Sequence, residues 1–184
     1  MKRILDKFAG KAAVLALSIQ SMTGCLAESP PNEVAEQTSA LTTNGFGPVK
    51  SILSSRCLSV DSSSTADGAQ IIQWTCLGMN AQEWTFSPDP ADTTGTLFFI
   101  KNLNSNKCLS VDSNSTADGA RVIQWNCIGS SGQKWSILFS ALETGVRIVN
   151  HSGKCLSVDS SSTSNGARII QWRCIPDSLA QQWQ

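Results

Sequence analysis

A block of 21 residues recurs three times in this 184-residue chain, and this repeat constrains the fold more than any other feature. The copies are RCLSVDSSSTADGAQIIQWTC (56–76), KCLSVDSNSTADGARVIQWNC (107–127) and KCLSVDSSSTSNGARIIQWRC (154–174). Their first cysteines lie 51 and 47 positions apart, and a Gln-x-Trp sequence follows each copy. Such a period indicates three equivalent structural units. We expect these repeats to span about residues 45–93, 94–143 and 144–184.

Each repeat has the pattern of four short β-strands. In Cys-Leu-Ser-Val-Asp, Leu58 and Val60 alternate with polar neighbours, as in a half-buried strand. The Ser/Thr-rich stretch that follows ends in Asp-Gly or Asn-Gly, which favours a turn because glycine accepts a positive φ. The sequence Ile-Ile-Gln-Trp (71–74) then predicts a returning strand. Four strands in each of three repeats predict an all-β barrel of about twelve strands with pseudo-threefold symmetry.

The cysteines support this hairpin. Seven are present, and the six that follow Cys25 form three pairs, each 19 positions apart. An even set of cysteines in an exported chain indicates disulfide bonds. Because a hairpin brings its two ends together, we predict one bond within each repeat, worth about 3 kcal/mol in the chain-entropy model. The predicted pairs are Cys57–Cys76, Cys108–Cys127 and Cys155–Cys174.

Residues 1–24 have the layout of an export signal. A basic start precedes the apolar stretch AAVLALSI (12–19), which is too short to span a bilayer. The sequence Met-Thr-Gly-Cys (22–25) resembles the lipobox of bacterial lipoproteins, in which Cys25 would be lipidated. The alternatives are cleavage after Ala27 with free secretion, and a cytoplasmic chain with a frayed initial helix. Residues 25–44 are polar and predict a flexible tether. We expect an exported protein, either a cell-surface or outer-membrane lipoprotein or a secreted one.

The composition argues against several classes of partner. Charged residues make up 15% of the chain, and 14 basic residues balance 14 acidic ones. Binding to nucleic acid or to anionic membranes requires clustered basic charge. The single histidine, His151, cannot build a repeated catalytic or zinc site, and disulfides consume the cysteines. We expect a monomer with no enzymatic activity, cofactor, metal or nucleic-acid partner, and with membrane contact only through a lipid anchor.

Three copies of Cys-Leu-x-Val, an Asp-Gly or Asn-Gly turn, a tryptophan two residues before the second cysteine and a closing Gln-x-Trp resemble the ricin B-type lectins. The resemblance covers about residues 45–184. It implies a β-trefoil fold and carbohydrate binding in shallow pockets, up to one in each repeat. It also implies that any enzymatic activity would come from a separate attached domain.

The resemblance assigns specific side chains to the sugar. A pyranose needs a flat aromatic surface for its C–H face and planar polar groups for its hydroxyls. The family's stacking position corresponds to Trp74, Trp125 and Trp172, for which burial in the core is the alternative. The family's core position corresponds to Trp84, Trp135 and Trp183. The Gln-x-Trp glutamine would steady the acid of the pocket or bond within the hairpin, and it corresponds to Gln82, Gln133 and Gln181.

Three polar positions of the family pattern are changed in every repeat. The sugar-binding aspartate is replaced by Ser59, Ser110 and Ser157, a glutamine by Ile72, Ile123 and Ile170, and an asparagine by Ala81, Gly132 and Ala180. A substitute acid lies two residues beyond the serine, on the same strand face and about 6.6 Å away, unless it only caps the next turn. These acids are Asp61, Asp112 and Asp159. In a regular strand, Gln73, Gln124 and Gln171 would face the opposite side.

The sequence therefore favours a carbohydrate-binding module with up to three shallow sites, each formed by one tryptophan, one aspartate and one glutamine. The alternative is a protein-binding trefoil, such as a hydrolase inhibitor or an assembly factor, that has lost sugar binding. A small glycosidase is the third hypothesis.

Overall fold

The computed structural model describes residue 45 and residues 47–139 and 145–184. These residues form eleven β-strands and six three-residue 3-10 turns. The strands are β1 (Gly47–Pro48), β2 (Cys57–Val60), β3 (Ile71–Trp74), β4 (Glu83–Pro88), β5 (Phe98–Asn102), β6 (Cys108–Val111), β7 (Val122–Trp125), β8 (Trp135–Phe139), β9 (Val146–Asn150), β10 (Lys154–Val158) and β11 (Ile169–Arg173). The predicted export signal, Cys25 and most of the tether lie outside the described residues.

Two kinds of strand pair build the fold. Each repeat contains one short hairpin; the three hairpins pair β2 with β3, β6 with β7 and β10 with β11. In each hairpin the first cysteine lies opposite the tryptophan: Cys57 opposite Trp74, Cys108 opposite Trp125 and Cys155 opposite Trp172. Between repeats, β4 pairs with β5 and β8 with β9. At the twelfth position Trp183 bridges to Ser51 and Val146, so the end of the third repeat pairs with the start of the first.

The three hairpins meet around one axis. Gln70 bridges to Ile123, Arg121 to Ile170, and Arg168 to Ile72, so that each hairpin contacts the next in cyclic order. This pseudo-threefold arrangement of all-antiparallel strands is the predicted β-trefoil.

The barrel is filled by one tryptophan and several aliphatic side chains from each repeat. Trp84, Trp135 and Trp183 are at most 1% exposed, as the sequence predicted for the core. Their indole N–H groups donate to the carbonyl oxygens of Leu58, Leu109 and Leu156 at 3.0–3.1 Å. The polar end of each ring is therefore satisfied, and its apolar area is removed from water.

Gln70 breaks the threefold symmetry at the axis. Its side-chain Nε2 donates to the carbonyl oxygens of Ile71, Val122 and Ile169, which are equivalent positions of the three repeats, at 2.9, 3.0 and 3.4 Å. The other two repeats carry Arg121 and Arg168 at this position, and their guanidinium groups bond to aspartates of their own repeats. Because the amide group carries two hydrogens, the contacts to Ile71 and Val122 are its two hydrogen bonds, and the longer contact to Ile169 shares one of them.

The disulfide prediction is confirmed. Cys57–Cys76, Cys108–Cys127 and Cys155–Cys174 are bonded, each with a Cα–Cα distance of 5.1 Å. Each bond joins the first strand of a hairpin to the residues that follow the second strand. In the described part of the chain, no helix has the length and hydrophobicity needed to cross a membrane.

Candidate functional site

The tryptophan at the end of each hairpin lies at the surface. Trp74 is 39% exposed and Trp125 is 41% exposed, whereas Trp172 is half-buried. Each ring follows two buried aliphatic residues and a buried glutamine of the same strand. The strand is therefore anchored by its first three residues, and the tryptophan that follows them reaches the surface. Trp74 and Trp125 therefore offer flat apolar faces to a ligand, whereas the Trp172 ring has the Arg173 guanidinium 5.9 Å from its centroid.

In the second repeat this tryptophan forms one wall of a pocket. The pocket has a volume of about 190 Å³, smaller than the roughly 300–1,000 Å³ of drug-sized ligand sites, and it suits a single ring or a chain end. It opens between β6, the 3-10 turn after it, β7 and the loop after Cys127. Its lining consists of Ser110, Val111, Asp112, Ser113, Asn114, Ile123, Trp125, Ile128 and Ser130. Trp125 and Asp112 of the predicted trio are thus brought together.

Asp112 is held by an arginine of the returning strand. Its Oδ2 accepts hydrogen bonds from Arg121 Nη2 at 2.7 Å and Nε at 3.2 Å, and its Oδ1 accepts one from Ser113 Oγ at 3.1 Å. The Arg121 guanidinium is the main reason why the pKa of Asp112 lies below its ordinary value, with partial desolvation acting against it. The carboxylate therefore stays ionised at neutral pH and retains lone pairs that can accept sugar hydroxyls.

The other two aspartates differ in their partners. Asp159 accepts a hydrogen bond from Arg168 Nη2 at 2.6 Å and so matches the second repeat. Asp61 accepts one from Ser62 Oγ at 3.1 Å, but the residue that would supply its arginine is Gln70, which is directed to the axis. Asp112 and Asp159 thus have an arginine as partner, whereas the hydrogen bond of Asp61 comes from a neutral hydroxyl.

The Gln-x-Trp glutamine lies behind the pocket. Gln133 is fully buried, its Nε2 donates to the Asn126 carbonyl at 2.7 Å, and its Oε1 accepts from the Ile128 and Gly129 N–H groups at 2.9 and 3.1 Å. Gln82 and Gln181 make the corresponding bonds in their repeats. These bonds shape the loop that carries Ile128. The structure therefore separates this glutamine from the pocket surface formed by Trp125 and Asp112.

The other repeated glutamine faces away from the pocket, as a regular strand predicts. Gln124 is fully buried, and its Nε2 donates to the carbonyl oxygens of Ser64 and Ala66 in the preceding repeat at 2.8 and 2.9 Å. Its Oε1 accepts from Ser105 Oγ at 2.7 Å. Gln73 and Gln171 make the same two kinds of bond.

Asn114 is a pocket residue that the sequence reasoning missed. Its Oδ1 accepts from the Gly132 N–H at 2.8 Å, and its side chain lines the pocket beside Asp112. A Cβ on Gly132 would lie 2.7 Å from that oxygen, so the amide occupies the space that a side chain would need. At the two positions equivalent to Asn114 and Gly132, the first repeat has Ser63 and Ala81, and the third repeat has Ser161 and Ala180. This joint change of two positions was the available signal.

A second missed feature is the apolar residue after each second cysteine. Leu77, Ile128 and Ile175 are 58%, 68% and 43% exposed, and Ile128 lines the pocket. Since an apolar residue occurs at this place in all three copies, its repetition was the signal. In the second repeat, Ile128, Ile123 and Trp125 supply apolar lining, while the serines, Asn114 and Asp112 supply the polar atoms. Within the described residues no cluster of His, Cys, Asp and Glu could hold a metal ion.

Comparison with known proteins places this geometry in a family. The model of the ricin-type β-trefoil lectin domain matches residues 45–183. No curated protein sequence gives a significant match.

Three solved structures illustrate the structural likeness. The designed threefold-symmetric protein ThreeFoil has 35% sequence identity and a TM-score of 0.69, covering 77% of this chain and 97% of that chain. An exo-β-1,3-galactanase from Clostridium thermocellum has 29% identity and a TM-score of 0.69, but the match covers 77% of this chain and only 30% of the enzyme. The Macrolepiota procera ricin B-like lectin, solved with lactose, has 18% identity and a TM-score of 0.65, covering 78% of this chain and 95% of the lectin. With its repeats, its β-trefoil and a family match over residues 45–183, the chain belongs to the ricin-type β-trefoil lectin domain family.

Proposed function

We propose that this protein is a monomeric carbohydrate-binding module that binds glycans or polysaccharide through up to three shallow repeat sites. Membership of the ricin-type lectin family supports a carbohydrate-binding role in general. The observation that carries the proposal is the pocket of the second repeat, in which the exposed Trp125 ring lies beside the ionised Asp112. A sugar needs this combination of an apolar face and a planar acceptor.

The proposed contacts divide between the two kinds of lining. The Trp125 ring would stack on the C–H face of a pyranose, with Ile128 against its edge. The Asp112 carboxylate and the serine hydroxyls of the pocket would hydrogen-bond the sugar hydroxyls. Trp74 with Asp61 and Trp172 with Asp159 would act likewise in the other repeats. We propose that Gln82, Gln133 and Gln181 contribute from behind, by fixing the loop that forms one side of each site.

The test is binding to an array of diverse immobilised glycans. We expect the protein to bind and a Trp74→Ala/Trp125→Ala/Trp172→Ala variant to lose binding, at about 1 to 3 kcal/mol per stacking ring by analogy with base–aromatic stacking. Phe139→Ala is the matched control, because Phe139 is an aromatic residue at 88% exposure that does not line the described pocket. If the protein binds no glycan at high concentration, the proposal is wrong.

A protein-binding trefoil is the second candidate. It is favoured by the loss of three family polar positions, seen at Ser110, Ile123 and Gly132, and by the exposed apolar residues Leu77, Ile128 and Ile175. An array without glycan hits, together with saturable binding of a purified glycoside hydrolase that the triple tryptophan variant loses, would support this candidate instead.

We further propose that the domain does not catalyse a reaction. The galactanase in the comparison is an enzyme more than three times the matched length, and this chain covers 30% of it. Incubation with β-1,3-galactan should therefore release no reducing sugar above the level of a heat-denatured control. Release that depends on Asp112 would overturn this part of the proposal.

The three disulfides indicate an exported protein, because such bonds persist in oxidising compartments. We propose that Cys25 is lipidated and that residues up to 44 tether the trefoil to the cell surface or outer membrane. Mass spectrometry of the mature terminus after expression in a bacterium should find a diacylglyceryl-modified Cys25, and Cys25→Ala should release the protein from membranes. A mature terminus at Glu28 would instead indicate free secretion.

A further inference from the structure

Each exposed tryptophan lies against the glycine turn of the preceding repeat. A Cβ built on Gly68 of the first repeat would lie 3.7 Å from the Trp125 ring of the second repeat. The same relation joins Gly119 to Trp172 at 3.5 Å and Gly166 to Trp74 at 3.8 Å, so the cycle closes from the third repeat to the first. All three glycines have a φ of 80–81°, which favours glycine at this position.

The acid before the glycine bonds to the residue that follows the tryptophan. Asp67 Oδ1 accepts from the Asn126 backbone N–H at 2.8 Å and from Lys107 Nζ at 2.7 Å, and Asp67 Oδ2 accepts from Asn126 Nδ2 at 2.9 Å. Asp118 accepts from the Arg173 N–H at 2.9 Å and pairs with Lys154 Nζ at 2.9 Å.

The junction between the third repeat and the first makes the same hydrogen bond without a charge. Asn165 Oδ1 accepts from the Thr75 N–H at 2.8 Å. The repeat therefore uses the acceptor oxygen at all three junctions and the negative charge at two of them.

The residue before the tryptophan is bonded to the same turn. The Gly68 N–H donates to the Gln124 carbonyl and the Gln124 N–H donates to the Ala69 carbonyl, both at 2.9 Å. Both neighbours of Trp125 in the sequence are thus fixed by the first repeat, although the ring belongs to the second. The equivalent backbone bonds join Gly119 and Gln171, and Gly166 and Gln73, at 2.9 Å.

We propose that each glycan site is completed by the preceding repeat, whose Asp-Gly or Asn-Gly turn is the positioning element for the stacking tryptophan. Asp67 positions Trp125, Asp118 positions Trp172 and Asn165 positions Trp74. This inference rests on the proposed sugar-binding role of the tryptophans. It makes the junction between two repeats the functional unit, so a change in one repeat alters the site of the next.

Directional mutagenesis separates positioning from general stability. The first readout is the indole N–H resonance of each exposed tryptophan in a ¹H–¹⁵N spectrum of the full chain, assigned with Trp→Phe variants. We expect Asp67→Ala to shift the Trp125 resonance and leave that of Trp172 in place, and Asp118→Ala to do the reverse. The two variants control for each other, because each removes an aspartate from an equivalent turn and breaks a lysine pair. Each also loses a bond to the side chain after the tryptophan, which is Asn126 for Asp67 and Arg173 for Asp118.

The second readout is affinity for the glycan that binds most tightly on the array, measured in a variant whose only remaining site tryptophan is Trp125. In this background Asp67→Ala should weaken binding about tenfold, as for the loss of a hydrogen bond to a charged group, while Asp118→Ala leaves it unchanged. Asp67→Asn should restore binding, because Asn165 shows that a neutral Oδ1 can accept the same backbone N–H.

The two proposals can fail separately. If the Trp125-only protein binds no glycan, sugar binding fails at that site, and the indole resonances still decide whether Asp67 positions the ring. If Asp67→Ala and Asp118→Ala shift all three resonances alike, or shift none, the positioning proposal is overturned whatever the sugar result.

Discussion

At the scale of single residues, Asn114 and Gly132 show how the second repeat supplies an amide to its pocket from a different position in the sequence than the family pattern does. The family pattern has an asparagine directly before Gln-x-Trp, where the second repeat has Gly132. The amide comes instead from the turn after β6, and it fits because Gly132 has no side chain. The two residues are therefore coupled.

This coupling predicts the effect of restoring a side chain. Gly132→Ala should lower the free energy of unfolding by about 1–3 kcal/mol, because the new Cβ overlaps Asn114 Oδ1 and the Val111 carbonyl. Adding Asn114→Ser, which copies the other repeats, should recover part of that loss in urea unfolding. Ala81→Gly in the first repeat is the control and should cost about 1–2 kcal/mol, through chain entropy and the loss of one buried methyl group. A neutral Gly132→Ala would contradict the coupling.

The pair of Asp112 and Arg121 gives a second prediction at this scale. Since the guanidinium is the main cause of the depressed pKa of Asp112, Arg121→Leu should raise that pKa towards the ordinary value of 3.8. Titration of the carboxyl carbons followed by ¹³C NMR measures this directly. The Asp89 carboxyl, whose pKa is lowered mainly by its hydrogen bond with Lys134, serves as the internal reference and should keep its titration midpoint. An unmoved Asp112 midpoint would show that Arg121 does not set it.

At the scale of elements, the hairpin junctions differ in their response to acid. The pKa of Asp67 is lowered chiefly by Lys107, and that of Asp118 chiefly by Lys154. A depressed folded-state pKa adds stability that is present above the unfolded value and is lost as the pH falls through the folded value. The first two junctions should therefore weaken below about pH 4, whereas the Asn165 junction has no carboxyl to titrate.

A double variant tests this prediction. Asp67→Asn/Asp118→Asn keeps the acceptor oxygens but removes both charges, so it should be less stable than the wild type at neutral pH. The difference should shrink as the pH falls from about 5 to 2, because the wild-type carboxylates become protonated. Urea unfolding across this pH range measures it. A difference that stays constant with pH would mean that these carboxylates do not titrate between the folded and unfolded states.

The hairpins and their disulfides were predictable from the sequence, because the contacts that define them are local. Cys57 and Cys76 lie at the two ends of one hairpin, so the period-2 pattern and the turn determine their pairing. The contact of Gly68 with Trp125 was not predictable in this way, because it joins different repeats. Because the three repeats have similar sequences, the sequence does not indicate which repeat packs against which. The bonds of Gln133 are local as well, to the backbone of Asn126 and Ile128, and they match the hairpin bond that the sequence left open as one of two alternatives.

At the scale of the whole molecule, the three proposed sites on one trefoil predict a dependence on valency. A surface of densely immobilised glycan makes each further contact effectively intramolecular. Trp125→Ala should therefore weaken binding to such a surface far more than it weakens binding of a free monovalent glycan, which occupies sites one at a time. Surface plasmon resonance with high- and low-density surfaces compares the two cases. Equal losses on both would indicate that a single site carries the binding.

The overall architecture was also predictable from the sequence. Three copies with four strand patterns each predicted about twelve strands, and eleven are present in the described residues, with the bridges of Trp183 at the remaining position. The order of the repeats around the axis was not predictable, because it depends on contacts between hairpins of different repeats.

The amide of Gln70 at that axis has a consequence for how such a chain can evolve. Replacing Gln70 by the arginine of the other two repeats would remove this donor from the axial carbonyls, since Arg121 and Arg168 bond to aspartates of their own repeats. Gln70 therefore marks the first repeat as the odd member, and homogenising the three repeats towards arginine would lose these hydrogen bonds.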